Sequence, residues 1–162
     1  MKNWKSIFWR VPLFCAVAGV LAFRVNVFLL SRFAIVILPD GSMSSSGPRT
    51  LAVYGAVFAA ALAAGWFFFH KMTRGELFFS ASVTVALNLA VMLAQRVFGL
   101  TSGAWAVFFM YLSETAEWRG FVYQLLHSLG LGIWPSVLAG ALTPYLFVLF
   151  GQRAGKGGDK GA

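Results

Sequence analysis

Four long apolar stretches dominate this chain and limit the folds open to it more than any other feature. They cover residues 11–38, 50–69, 77–98 and 130–151, and about 20 apolar residues are enough for a helix to cross a bilayer. The mean hydropathy is +0.77 and charged residues make up 11% of the chain, whereas soluble domains carry about 25%. The sequence therefore predicts an all-α, polytopic transmembrane helical bundle. We expect residues 1–151 to form one domain and residues 152–162 a disordered, basic, glycine-rich tail.

Positive charge is concentrated beside these stretches. The formal net charge is +8, and the basic residues that flank the apolar segments are Lys2, Lys5, Arg10, Lys71, Arg74, Arg153, Lys156 and Lys160. Because Lys and Arg accumulate on the cytoplasmic side of membrane proteins, we expect the N-terminus, the 70–76 turn and the tail to be cytoplasmic. The pattern indicates the lipid bilayer of the cell membrane as the partner, and no nucleic acid.

Residues 103–128 leave the number of crossings open. The three basic segments share one side only if the chain crosses an even number of times, so four crossings place 103–128 in an amphipathic or re-entrant helix at the outer face. If residues 103–128 are instead a fifth span, the tail lies outside. The first stretch has a loose signal-peptidase pattern at Val20-Leu21-Ala22, but the apolar run that continues through residues 33–38 favours a retained helix.

Two helix faces stand out within the apolar stretches. Ser80, Thr84 and Asn88 recur every four residues, so they share one face of the third stretch and either hydrogen-bond another helix or line a polar path. A row of small residues, which lets helices approach closely, recurs at the same interval in the second stretch: Gly55, Ala59 and Ala63. This row predicts packing within the chain or an interface with a second copy or a membrane-complex partner.

The richest polar pattern lies between residues 113 and 128. In one continuous helix, a polar seam in steps of four and three would contain Ser113, Glu117, Gly120, Gln124 and His127. Arg119 does not lie on this seam, because two residues along a helix is more than half a turn away. We therefore expect Arg119 to extend outward or to find a partner on another element.

Glu114 and Glu117 are the only acidic residues in apolar surroundings. A charge at the bilayer centre costs about 2.5–3.5 kcal/mol on insertion scales, so such residues pair, face water or carry a function. Three interpretations stay open: an ion pair with Arg24, a helix face towards water, or a polar intramembrane site. The third predicts a non-enzymatic membrane component, related to transport or part of a complex, with no catalytic residues, metal or cofactor. The candidate residues of that site are Glu114, Glu117, His127, Arg24, Asn88 and Arg119.

An enzymatic alternative comes from residues 114–121. The stretch Glu114-Thr115-Ala116-Glu117-Trp118-Arg119-Gly120-Phe121 resembles the Glu-Glu-x-x-x-Arg-Gly signature of the CAAX-processing and bacteriocin-immunity membrane proteases. The resemblance implies an intramembrane hydrolase in which a glutamate activates water and histidines on later helices assist. Thr115 stands in place of the second glutamate, and no histidine follows His127. A scaffold of an envelope complex, which needs no catalytic residue, is a further alternative.

Overall fold

Four helices of the computed structural model, which describes residues 7–98 and 103–152, are long and apolar enough to cross a membrane. The α-helices are α1 (Arg10–Leu29), α2 (Gly47–Phe69), α3 (Arg74–Phe98), α4 (Gly103–Glu114), α5 (Gly120–Ser128) and α6 (Ile133–Leu142). A 3-10 helix, Thr143–Phe150, continues α6, and together they form the last of the four apolar helices. The fold class is therefore all-α, as predicted. The predicted tail beyond Gln152 lies outside the described residues.

The first apolar helix ends before residue 38. After α1 the chain forms a short π-helix, Leu30–Ala34, and then strand β1 (Ile35–Ile37), which pairs antiparallel with β2 (Met43–Ser45). The prediction of a helix through residue 38 was wrong, because β1 consists of β-branched residues that favour an extended, paired backbone.

The turn between β1 and β2 follows from its residues. Gly41 has a φ of 81°, a conformation that glycine adopts without a steric cost. The carboxylate of Asp40 accepts hydrogen bonds from the hydroxyl of Ser42 (2.7 Å) and from its backbone N–H (2.9 Å). These bonds favour the ionised form, so the pKa of Asp40 lies below its usual value.

Three parts of the chain meet at one end of the molecule. The hydroxyl of Ser80 donates to the carbonyl oxygen of Phe8 (3.1 Å) and accepts from the backbone N–H of Val11 (3.1 Å). The backbone N–H of Gln152 donates to the carbonyl oxygen of Met72 (2.9 Å), and the N–H of Arg74 donates to that of Gln152 (3.0 Å). The start of α1, the 70–76 turn and the end of the 3-10 helix are therefore neighbours, and we call residues 70–76 the basic turn.

Residues 103–128 fold back instead of forming one continuous helix. Trp118 stacks on Phe58 near the middle of α2, at 6.0 Å between ring centroids, and Phe121 lies against Phe58 and Gly55. Phe121 thus contacts α2 closer to its start than Trp118 does, so α5 runs towards the end of the molecule where α2 begins. The condition for one uninterrupted polar seam, a continuous helix through residues 113–128, is therefore not met, because the helix breaks after Glu114.

The core lies where this fold-back meets the long helices. Trp118 is 2% exposed and stacks between Phe58 and Phe147, the latter at 5.3 Å. Gly65 leaves room for the ring of Phe147, and Gly19 leaves room for the backbone of Thr115. Glycine at these two positions allows close approach, since any side chain would overlap its neighbour.

Candidate functional site

The candidate site is built around the break between α4 and α5, residues 115–119, which we call the central turn. The N–H of Thr115 bonds to the carbonyl oxygen of Leu112 (3.2 Å), and the N–H of Ala116 to that of Ser113 (3.0 Å). The Thr115 hydroxyl also donates to Leu112 (2.6 Å). These bonds span three residues instead of four, so the α-helix tightens and stops. The central turn then lies against Gly19, close to the middle of α1.

One face of the central turn presents Glu117 to α1 and α2. The amide nitrogen of Asn26 donates to Glu117 Oε1 at 3.3 Å. The phenol of Tyr54 on α2 faces the same carboxylate and the side chain of Gln124. The Glu117 carboxylate is thus held by neutral polar groups of two helices, Asn26 on α1 and Tyr54 on α2, and Gln124 contacts Tyr54.

Asn26 is the most enclosed member of this group. It is 1% exposed, and its Oδ1 atom has no hydrogen-bond partner among the described residues. A buried amide oxygen without a partner carries a desolvation cost of about 1–3 kcal/mol. Beside the Asn26–Glu117 contact, the Oδ1 atom of Asn26 is therefore a buried acceptor that is free to accept a hydrogen bond.

The opposite face of the central turn presents Arg119 to α6. Its Nη1 donates to the carbonyl oxygen of Gly140 at 3.2 Å, which confirms that Arg119 finds its partner on another element. In a regular α-helix this carbonyl would accept from the N–H of residue 144, but Pro144 has none. The N–H of Thr143 bonds to Gly140 in its place, and the tightened helix leaves the oxygen accessible to Arg119 as well.

Arg119 borders a cavity of about 740 Å³ between α1, α3, α4 and α6. We call it the Arg119 cavity. Most of its wall is apolar and includes Leu87, Val91 and Val137. Its polar side chains are Thr84, Asn88, Gln95, Ser113, Thr115 and Arg119. The polar face predicted on the third stretch is therefore divided: Ser80 joins helices, whereas Thr84 and Asn88 face the cavity.

The other predicted residues do not all converge on this site. Arg24 is exposed, with its guanidinium 5.6 Å from the ring centroid of Phe23, and it forms no ion pair with either glutamate. His127 is exposed and stacks on Tyr123 at 5.9 Å. Glu114 is 8% exposed at the end of α4. Glu117, Arg119 and Asn88 thus lie on or beside the central turn, whereas Arg24 and His127 lie apart from it.

Tyr54 is one of two site residues, with Asn26, that were not among the predicted ones. It lies in an apolar run of small and branched residues, and its hydroxyl was the one available signal. Its partner Gln124 belonged to the predicted seam, but the facing helix could not be assigned from periodicity, because a periodic pattern identifies a face and not its neighbour.

The geometry of the hydrolase-like stretch differs from what the resemblance implies. His70 bonds to the carbonyl oxygen of Phe67 within its own segment (2.8 Å), and His127 stacks on Tyr123, so neither histidine is engaged with Glu114 or Glu117. Within residues 7–98 and 103–152, no group of three or more His, Cys, Asp or Glu side chains is arranged to hold a metal ion. No protein-family model matches this chain, and no curated protein or solved structure is similar to it.

Proposed function

We propose that this protein is a four-crossing membrane protein whose segment 103–128 is a re-entrant helical hairpin. Support comes from the contacts between the start of α1, the basic turn and the end of the 3-10 helix, because four crossings bring these three parts to the same side of the membrane. The return of α5 towards the start of α2 is a second argument. Positive charge in the basic turn favours the cytoplasm for that side, so the re-entrant hairpin enters from the outside.

In this arrangement the central turn lies at the middle of the membrane. Non-helical backbone at that depth is tolerated where it is buried in protein or lines a water-filled cavity. Interrupted helices at the midplane are typical of solute sites in transporters, and charged residues at that depth often mark substrate paths. We therefore assign the protein a non-enzymatic, transport-related role, in which the central turn holds a small solute. The observation that carries this proposal is the opening of Arg119, at the centre of the fold, into the Arg119 cavity.

Accessibility of single cysteines tests the topology. In a Cys15→Ala background, Ser128→Cys and Lys71→Cys are labelled in intact cells with a membrane-impermeant maleimide. The re-entrant hairpin predicts opposite sides: Ser128→Cys reacts in intact cells, and Lys71→Cys reacts only after permeabilisation. Reaction of both from the same side would mean five crossings and would overturn the proposal.

A third variant tests whether the Arg119 cavity opens to water. Ser113 is exposed and borders the cavity, so Ser113→Cys should react from the same side as Ser128→Cys. If Ser128→Cys reacts and Ser113→Cys does not, the re-entrant topology stands and the solute site is wrong. The topology and the solute site are thus judged separately.

A complex subunit is the second candidate function, and one observation favours it. Six small residues of α2 are exposed: Ala52, Ala56, Ala59, Ala60, Ala63 and Ala64. Such a row permits close helix packing with a second copy or another membrane protein. In this case Ala59→Leu would disrupt assembly, measured as a loss of crosslinked oligomer in membranes, whereas Glu117→Gln would not.

A further inference from the structure

The charge of Arg119 is not neutralised by the part of the chain that the structure describes. Its guanidinium bonds to a carbonyl oxygen, that of Gly140, and no described carboxylate forms an ion pair with it. Glu117 is two residues away but is engaged on the opposite face by Asn26. Arginine inside a membrane protein usually faces a partner of opposite charge or a ligand path. The unpaired guanidinium therefore indicates that an anion binds at Arg119.

The surroundings of Arg119 specify what kind of anion. Arg119 is the only charged residue among the described residues that line the cavity, and the amides of Asn88 and Gln95 lie on the α3 wall. The hydroxyls of Thr84, Ser113 and Thr115 donate to backbone carbonyl oxygens of their own segments. Donors for an oxyanion thus come from the guanidinium and the two amides.

The size and the apolar wall of the cavity limit the ligand further. A volume of about 740 Å³ lies within the range of about 300–1,000 Å³ that is usual for small-molecule sites. An inorganic ion would leave most of the apolar wall unoccupied. An organic anion fills it, because burial of an apolar body gains about 25 cal/mol for each Å² removed from water.

We propose that the Arg119 cavity binds an organic anion whose carboxylate or phosphate lies at Arg119 and whose apolar body lies against α1 and α3. The inference rests on the proposed function and names the class of solute for that site. A free organic anion and the head group of an anionic lipid share this chemistry. Arg119 binds the oxyanion with paired N–H donors, and the amides of Asn88 and Gln95 offer further donors on the α3 wall.

The test uses the full chain in phosphatidylcholine nanodiscs and the quenching of tryptophan fluorescence by bromine. Trp118 and Trp9 line the cavity, so a brominated ligand inside it quenches them on contact. The first probe is 11-bromoundecanoate, and its methyl ester is the uncharged control. The second pair is brominated phosphatidylglycerol and brominated phosphatidylcholine, which tests the lipid source. We expect saturable quenching by an anionic probe and only unsaturable, partition-dependent quenching by its neutral counterpart.

Matched variants assign the effect to Arg119. Arg119→Gln retains a donor for Gly140 but loses the charge, and it should weaken the anionic probe at least tenfold. Arg119→Lys should restore part of the affinity. Arg24→Gln replaces an exposed arginine on α1, away from the cavity, and should leave the affinity unchanged. Equal binding by Arg119→Gln and the unaltered chain would overturn the inference.

The comparison of each anionic probe with its neutral counterpart needs no variant, so it remains valid if Arg119→Gln does not fold. Equal quenching within both pairs refutes the anion site. If Ser128→Cys and Lys71→Cys still react from opposite sides and Ser113→Cys is accessible, the proposed topology and water-accessible site survive that result. Saturation by the fatty acid alone identifies a free anion as the ligand, and saturation by phosphatidylglycerol alone identifies a lipid.

Discussion

Gly19→Ala tests the contact on which the position of the central turn depends. A Cβ atom at Gly19 would lie 2.6 Å from the Cα of Thr115 and closer still to its carbonyl group. Carbon atoms in contact are normally about 3.5–4.0 Å apart, so the backbone of the central turn must move by about 1 Å. Overpacking of this kind costs about 1–3 kcal/mol.

The matched control is Gly140→Ala, since a Cβ atom at Gly140 would have no neighbour within 4 Å. Both variants gain about 1 kcal/mol of helix propensity, so their difference in unfolding free energy isolates the overpacking. At about 2–4 °C for each kcal/mol in a chain of this size, Gly19→Ala should unfold at least about 2 °C below Gly140→Ala. Thermal unfolding in detergent, followed by tryptophan fluorescence, measures this. Equal midpoints would refute the argument that the central turn presses on α1.

Three further changes test the core and the polar contacts. Trp118→Ala should lower the free energy of unfolding by about 3–5 kcal/mol through loss of the aromatic stack, whereas Trp105→Ala, at an exposed position of α4, should cost less than about 0.5 kcal/mol. Denaturant titrations measure both values, and similar losses in the two variants would contradict the assignment of Trp118 to the core. Glu117→Gln keeps an acceptor for Asn26 and should be tolerated, but Glu117→Ala should lower the free energy of unfolding by about 1–3 kcal/mol more, because it leaves the buried amide of Asn26 unpaired. Equal stability of the two variants would argue against the contact between Asn26 and Glu117. Ser80→Ala removes both hydrogen bonds that join α3 to the start of α1 and should lower the free energy of unfolding by about 1–3 kcal/mol. We expect faster proteolysis near the N-terminus, and an unchanged rate of digestion would argue against the contact between Ser80 and the start of α1.

The long apolar helices were predictable from the sequence because their signal is local. Hydropathy over about 20 residues identifies a span without knowledge of its neighbours, and the ends of α2 and α3 lie within three residues of the predicted ones. The strand at Ile35–Ile37 was not found, since an apolar run of that length looks the same in a helix and in a strand. Its partner β2 contains serines, which gave no apolar alternation to signal a hairpin.

The candidate site was predictable in part. Scarcity of acidic residues singled out Glu117, and the opposite direction of Arg119 followed from helical geometry. The break at residues 115–116 was not foreseen, because no proline lies there and Gly120 comes later. It depends on Gly19 and on the pocket for Trp118, which are contacts between distant parts of the chain. Asn26 and Tyr54 were likewise out of reach, since pairing across helices is not encoded in the periodicity of either one.

In the proposed four-crossing arrangement, the 3-10 segment Thr143–Phe150 affects the thickness of the membrane that the last apolar helix matches. Ile133–Phe150 contains 18 residues, which as an α-helix would be about 27 Å long. With Thr143–Phe150 stretched to about 2.0 Å per residue, the whole element reaches about 31 Å, close to the hydrocarbon depth of an ordinary bilayer. A thinner bilayer would favour rewinding of this segment and a thicker one would oppose it. Because the change of winding occurs next to Gly140, hydrophobic mismatch acts directly on the carbonyl group that holds Arg119.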